Sequence, residues 1–211
     1  MGFDSETAFE SALIKCLVEE KGWKDGVIKY PTEKDLLDNW AKIIFENNRD
    51  IDRLGDFPMT DGEMAQIMGQ IAKLRTPLNL NGFINGGTVQ IIRDNENDTH
   101  NFKKTISLKI FDRNEIAAGR TRYQIAQQPK FKAKNSIYPN RRGDFCLLIN
   151  GMPVIHVELK KSNVPVSEAQ YQIRKYLYEG VFTGLFSLVQ VFVAMLSLIH
   201  ISEPTRLQLI S

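Results

Sequence analysis

Cysteine is scarce: Cys16 and Cys146 are the only two in 211 residues. They stand far apart in segments that read as core, which excludes a disulfide-stapled scaffold and makes a reducing compartment the expectation. An excess of one charge is also missing, with 27 Lys and Arg against 25 Asp and Glu. No single-sign field covers the molecule, so contact with nucleic acid must come from local charge. No basic stretch followed by an apolar one opens the chain, so secretion is not expected. Repeats, low-complexity tracts and linkers are absent, and 43% hydrophobic positions suffice for one full core. The expectation is one cytoplasmic domain.

One long apolar run is present. Val181 to Ile201 is 21 residues without a charge, a length that invites a membrane span. However, Leu196 to Arg206 reads as the translation of a transposase-type sequencing adapter, and such scars are left out of fold reasoning. The remaining apolar stretch, ending at Met195, is too short to span, so no membrane contact is expected. The division expected is a domain over residues 1–195, cut off near Met195, and a non-native tail over 196–211.

The authentic part begins helical. Phe9, Leu13, Ile14, Leu17 and Val18 recur at helical spacing within residues 5–21, with Gly22 as a stop. A second helix is expected from Thr32 to Asn47, capped by Thr32 with Asp35 three residues on. Thr60 and Glu63 form a capping-box pattern for a third, with Met64, Ile67, Met68, Ile71 and Leu74 as its apolar stripe. From Val89 the period changes to alternation, over Thr88–Arg93, Thr105–Phe111 and Arg122–Gln127. The acidic turn Asp94–Asp98 lacks the glycine and terminal glutamate of a calcium loop. Residues 45–120 are the least informative part.

Chemistry gathers over 141–161. Two apolar runs flank Asn150-Gly151, a strong hairpin signal; the first opens with Asp144 and the second closes with Glu158-Leu159-Lys160. Two carboxylates at strand ends hold a hard divalent cation through oxygen ligands, and a neighbouring lysine neutralises charge on a phosphate or orients a water. A strict two-residue loop would place Asp144 and Glu158 on opposite faces, because side chains alternate. A three-residue loop with Gly151 as a left-handed bulge makes Asp144 face Glu158, with Lys160 beside it. It also gathers Phe145, Leu147, Ile149, Ile155, Val157 and Leu159 on the other face, so this register is expected.

Downstream, a helix beginning at Ser167 sets Gln172 and Tyr176 on one face, four apart. Leu188–Ala194 reads as a last strand covered on both faces. His156 shares the face of Glu158 and reads as a neighbour of the site, not a ligand. Glu10 either adds a carboxylate to it or is a plain solvent-facing helix residue. Arg141 and Arg142 are candidates for DNA phosphates, or merely solvate the strand entrance.

At these residues the chain resembles a known family. Asp144…Glu158-Leu-Lys160 resembles the PD-(D/E)xK nuclease signature, with Asn140 where the proline would stand. Tyr123-Gln-Ile-Ala-Gln-Gln, Arg142-Gly-Asp, Asn150-Gly-Met-Pro and Gln172-Ile-Arg-Lys-Tyr176 are similar to the N-terminal nuclease domain of type I restriction enzyme R subunits. The resemblance implies an α/β, restriction-endonuclease-like αβββαβ core with a mixed sheet and a helical/β insertion. It implies magnesium-dependent cleavage of double-stranded DNA, with Asp144, Glu158 and Lys160 catalytic, Asp144 and Glu158 on the metal, and Gln172, Tyr176 and Glu10 supporting. It also implies partners, the methyltransferase and specificity subunits, and an ATP-driven motor. No G-x-x-x-x-G-K-[ST] loop occurs here, so ATP belongs to segments this chain lacks. The alternatives are a stand-alone nuclease of the same signature or a docking module for the methyltransferase subunits.

Overall fold

The computed structural model describes residues 5–74, 76–111, 121–132, 140–161 and 164–197. Residues 198–211, and so nearly all of the expected tail, lie outside them. Helix α1 (Glu6–Glu20) starts where the Ser5 hydroxyl accepts from the Ala8 N–H, and β1 (Val27–Lys29) follows. Both expected capping boxes form. Thr32 caps α2 (Glu33–Asn47) with Asp35 reciprocating, and Thr60 caps α3 (Asp61–Ile71) with Glu63. Helix α4 (Pro77–Gly86) leads into the hairpin β2 (Thr88–Ile92) and β3 (Thr105–Lys109).

The chain then enters β4 (Tyr123–Gln127), the short pair β5 (Lys130–Phe131) and β6 (Arg141–Arg142), and the hairpin β7 (Phe145–Ile149) and β8 (Met152–Lys161). Helix α5 (Val166–Tyr178), a 3-10 turn over Gly184–Leu188 and β9 (Val191–Ser197) complete it. The main sheet runs β1-β4-β7-β8-β9. Its two outer pairings, β1 with β4 and β8 with β9, are parallel, and its inner ones antiparallel. This is the mixed sheet and restriction-endonuclease-like architecture expected, with α3 to β3 as the insertion. Among the described residues no helix is long and apolar enough to cross a membrane.

Several local expectations are corrected. Helix α5 begins at Val166 after Pro165, with no side-chain cap, so Ser167 does not start it. Leu188 belongs to the 3-10 turn, and β9 begins at Val191 as a half-buried edge strand. It also continues through Leu196 and Ser197, which pair with Lys160 and Lys161, past the expected boundary. Ladder bonds use backbone alone, so pairing can continue whatever the side chains are.

The main correction concerns register. Asn150 and Gly151, at φ 49 and 84, form a two-residue turn that pairs Ile149 with Met152. Gly151 carries no bulge; a Cβ there would lie 3.0 Å from the Trp40 Cα of α2. The extra residue is Val154, between the pairs Leu148–Pro153 and Leu147–Ile155. Pro153 has no N–H to give a central strand, and a bulge is where sheets accommodate that. Continued from the Phe145–Val157 pair, the shifted register sets Asp144 opposite Glu158.

The shift sorts the side chains into two cores. Phe145, Leu147, Val157 and Leu159 pack with Ile14 under α1. Cys146, Leu148, Met152 and Val154 join a larger cluster with Leu36, Trp40, Ile67 and Leu108. Ile149, expected on one face with Phe145 and Val157, packs against that larger cluster instead.

Candidate active site

Asp144 stands at the bend before β7, and Leu159 of the neighbouring strand donates its N–H to Asp144 Oδ2 at 2.6 Å. Burial, and after it the charge of Glu158, lifts its carboxyl to a pKa of about 7. Glu158 is 1% exposed, and burial carries its carboxyl to about 7 as well, against the lowering effect of Lys160. Lys160 Nζ lies 3.8 Å from Glu158 Oε1. Two partly desolvated carboxylates and a lysine therefore share one place at the end of β8, and Asp144 and Glu158 are the oxygen donors there that could hold a cation.

Helix α5 covers this place through the residues expected of it. Gln172 donates to Glu158 Oε1 and to Tyr176 Oη, the latter at 2.8 Å. Tyr176 Oη donates to the carbonyl of Arg142 at 3.1 Å, and burial pushes its phenol up to about 12. The two side chains thus tie helix, Glu158 and the β6–β7 approach together.

Other expected residues are placed differently. Glu10 is 3% exposed, so the solvent-facing reading fails. Its two oxygens accept from Gln127 and Gln128, each at 2.9 Å, and its charge adds to the rise at Asp144. It belongs to the edge of the acidic place. Among the described residues no group of three or more His, Cys, Asp and Glu side chains is spaced to hold a metal ion. Arg141 is bound bidentately by Glu179, with Nε and Nη2 each at 2.7 Å from its oxygens, and points its guanidinium there. Arg142 is exposed.

His156 is drawn in more closely than a neighbour. It is 0% exposed, with Nε2 3.1 Å from Glu158 Oε2 and Nδ1 3.5 Å from Cys146 Sγ. Burial lowers its imidazole to about 4 and raises the Cys146 thiol, so both are neutral at neutral pH. Gln127 and Gln128 escaped sequence reasoning; Gln128, at φ 51, also donates its N–H to the Asp144 carbonyl at 2.7 Å. Their only signal was the Tyr123-Gln-Ile-Ala-Gln-Gln string. A hollow between α2 and α3, lined by Leu37, Phe45 and Met68, is larger than the one beside Gln172 and Tyr176, but it adjoins none of these carboxylates.

A mixed sheet with flanking helices and a buried acidic pair at the end of a central strand defines the restriction-endonuclease-like class. More particularly, the chain belongs to the family described as type I restriction enzyme R protein N terminus, whose model matches residues 4–196. It is 28% identical over 92% of its length to a type I restriction enzyme endonuclease subunit of Staphylococcus saprophyticus. The same figures hold for an endonuclease subunit of Staphylococcus aureus strain COL. The chain spans 18% of the length of each of these relatives.

Proposed function

We propose that residues 1–195 are the magnesium-dependent nuclease domain of a type I restriction R subunit, hydrolysing phosphodiester bonds of double-stranded DNA. The observation that carries this reading is the meeting of Asp144, Glu158 and Lys160 at one end of β8, with both acids raised to about 7. Burying like charges together is costly, and a divalent cation held by Asp144 and Glu158 would offset that cost. The donor chemistry fits magnesium, which takes one or two carboxylates and completes its shell with water and substrate oxygens.

When bound, the ion supplies Lewis-acid polarisation of a phosphoryl oxygen and acidification of a water. Asp144 and Glu158 provide its oxygen ligands, with the Leu159 N–H holding Asp144 and Gln172 holding Glu158. Lys160 orients the water or neutralises charge growing on the phosphate. Water oxygen forms the new bond to phosphorus as the bond to the leaving DNA oxygen breaks. Arg142, exposed beside the site, is assigned to phosphate contact; Arg141 reaches DNA only by releasing Glu179. Sequence choice, ATP-driven translocation and the seats of the methyltransferase and specificity subunits are assigned to the rest of the complex.

In the complete enzyme, Asp144→Ala, Glu158→Ala and Lys160→Ala should each abolish DNA cleavage while ATP hydrolysis persists, measured in parallel on one substrate. Cleavage retained by all three would overturn the assignment.

A further inference from the structure

Glu158 has one partner that the reading above does not use. The His156 ring is fully buried two residues earlier on the same strand. Phe182 and Phe131 stand edge-on to it, with centroids 5.1 and 5.8 Å away, and Phe192 and Tyr176 complete the walls at 6.2 Å. Gly143 closes the remaining side, since a Cβ there would fall 2.7 Å from His156 Cε1. Rotation is blocked, so the two nitrogens keep fixed neighbours: Cys146 Sγ at Nδ1 and Glu158 Oε2 at Nε2.

Those neighbours decide the tautomer. With a divalent ion holding Glu158 ionised, its carboxylate only accepts, so the nitrogen facing it carries hydrogen. The nitrogen facing Cys146 is then an acceptor, and the thiol is the one group there with a hydrogen to give. The polar groups form one directed line, from the Cys146 S–H to His156 Nδ1, and from the His156 Nε2–H to Glu158 Oε2. Gln172 and Lys160 sit at the other oxygen, Oε1. Each carboxylate oxygen has two lone-pair directions, so one donor on Oε2 leaves a direction open.

We propose that His156 is a positioning residue of the cation site: as the Nε2–H tautomer, set by Cys146, it fixes the plane of the Glu158 carboxylate for a divalent ion. This rests on Asp144 and Glu158 being the cation ligands. Groups that orient a metal ligand in this way are worth about 10–100-fold in metal affinity.

The test uses the 211-residue chain and Mn2+ as the probe ion. In the wild-type protein, imidazole nitrogen NMR at neutral pH should show His156 protonated at Nε2 and bare at Nδ1. Calorimetric Mn2+ binding should weaken about 10–100-fold in His156→Phe, which fills the aromatic box without a donor. His156→Gln keeps a donor nitrogen at the same reach and should recover most of that loss, which a purely space-filling role would not predict. A ring protonated at Nδ1 or at both nitrogens would overturn the proposal, whether or not His156→Phe folds. Equal Mn2+ affinity in His156→Phe and wild type would overturn it too, as would a His156→Gln no tighter than His156→Phe. Failure of the wild-type chain to bind Mn2+ would instead overturn the cation site itself, while the NMR result still reports on the tautomer.

Discussion

At the scale of single residues, the acidic pair works against the fold that holds it. Both carboxyls rise to about 7 from ordinary values of 3.8 and 4.5. The folded state therefore binds protons more tightly than the unfolded chain. Stability from this source is complete below the unfolded values, near pH 4, and is lost as pH climbs to about 7. Each tenfold gain in proton affinity on folding is worth about 1.4 kcal/mol, so the loss for the pair is on the order of 5–10 kcal/mol. Without divalent ions, thermal melts should show less stability at pH 8 than at pH 5. Magnesium should narrow that gap, and Asp144→Asn or Glu158→Gln should melt higher than wild type at pH 8 in its absence. Gly143 tells of a different constraint. The Arg142-Gly-Asp string was legible, but its glycine acquires a reason only when the rings of His156 and Phe131 are seen against it. Gly143→Ala should cost about 1–3 kcal/mol by overpacking, read from denaturant unfolding.

At the scale of elements, what was legible followed periodicity and capping chemistry. Thr32 with Asp35 and Thr60 with Glu63 announced α2 and α3 at their first residues, because a side chain must satisfy the free N–H groups of a helix start. Thr32→Ala should lower stability by about 1 kcal/mol, measured by urea unfolding. Strand β1 escaped because three residues carry no period, and its parallel partner β4 lies almost a hundred positions on. Helix α4 escaped because Asn79, Asn81 and Gly82 are weak helix formers; tertiary packing decides there. The hairpin taught the subtler lesson. Asn150-Gly151 allowed either loop, and burial plus chemistry demanded one extra residue without saying where. The structure places it at Val154, beside the proline that cannot donate, so the facing of Asp144 and Glu158 was reached with the bulge at the wrong residue. The carboxylates and Lys160 were legible as a motif. The bonds from Glu10 to Gln127 and Gln128 were not, because only the folded sheet brings positions 117 and 118 residues apart together.

At the scale of the whole molecule, the insertion is not a separate body. Its Ile67, Ile71, Val89 and Leu108 share one cluster with Cys146, Leu148 and Met152 of the main sheet and Trp40 of α2. Arg93 pins the insertion from inside. Its guanidinium, with no exposed side-chain surface, gives Nη1 to both Glu63 oxygens at 2.8 and 2.6 Å and Nε to Asp98 at 2.8 Å. Nη2 donates to the Phe57 carbonyl at 2.6 Å. Burial pushes Asp98 up, yet the bond to Arg93 prevails and holds it below its usual range, so Asp98 meets Arg93 as a carboxylate. Removing one member of such a buried set leaves uncompensated charge, which costs about 3–5 kcal/mol. A separable insertion would melt alone in Arg93→Ala, leaving the sheet and its acidic site intact. A shared core requires the loss to appear in one transition of the entire domain. Trp40 fluorescence reports the shared core, and far-ultraviolet circular dichroism reports helices and sheet together. In Arg93→Ala the two curves should coincide and shift jointly to lower urea. A biphasic curve, with Trp40 unchanged in the first step, would show that the insertion unfolds on its own and that the main sheet stands without it.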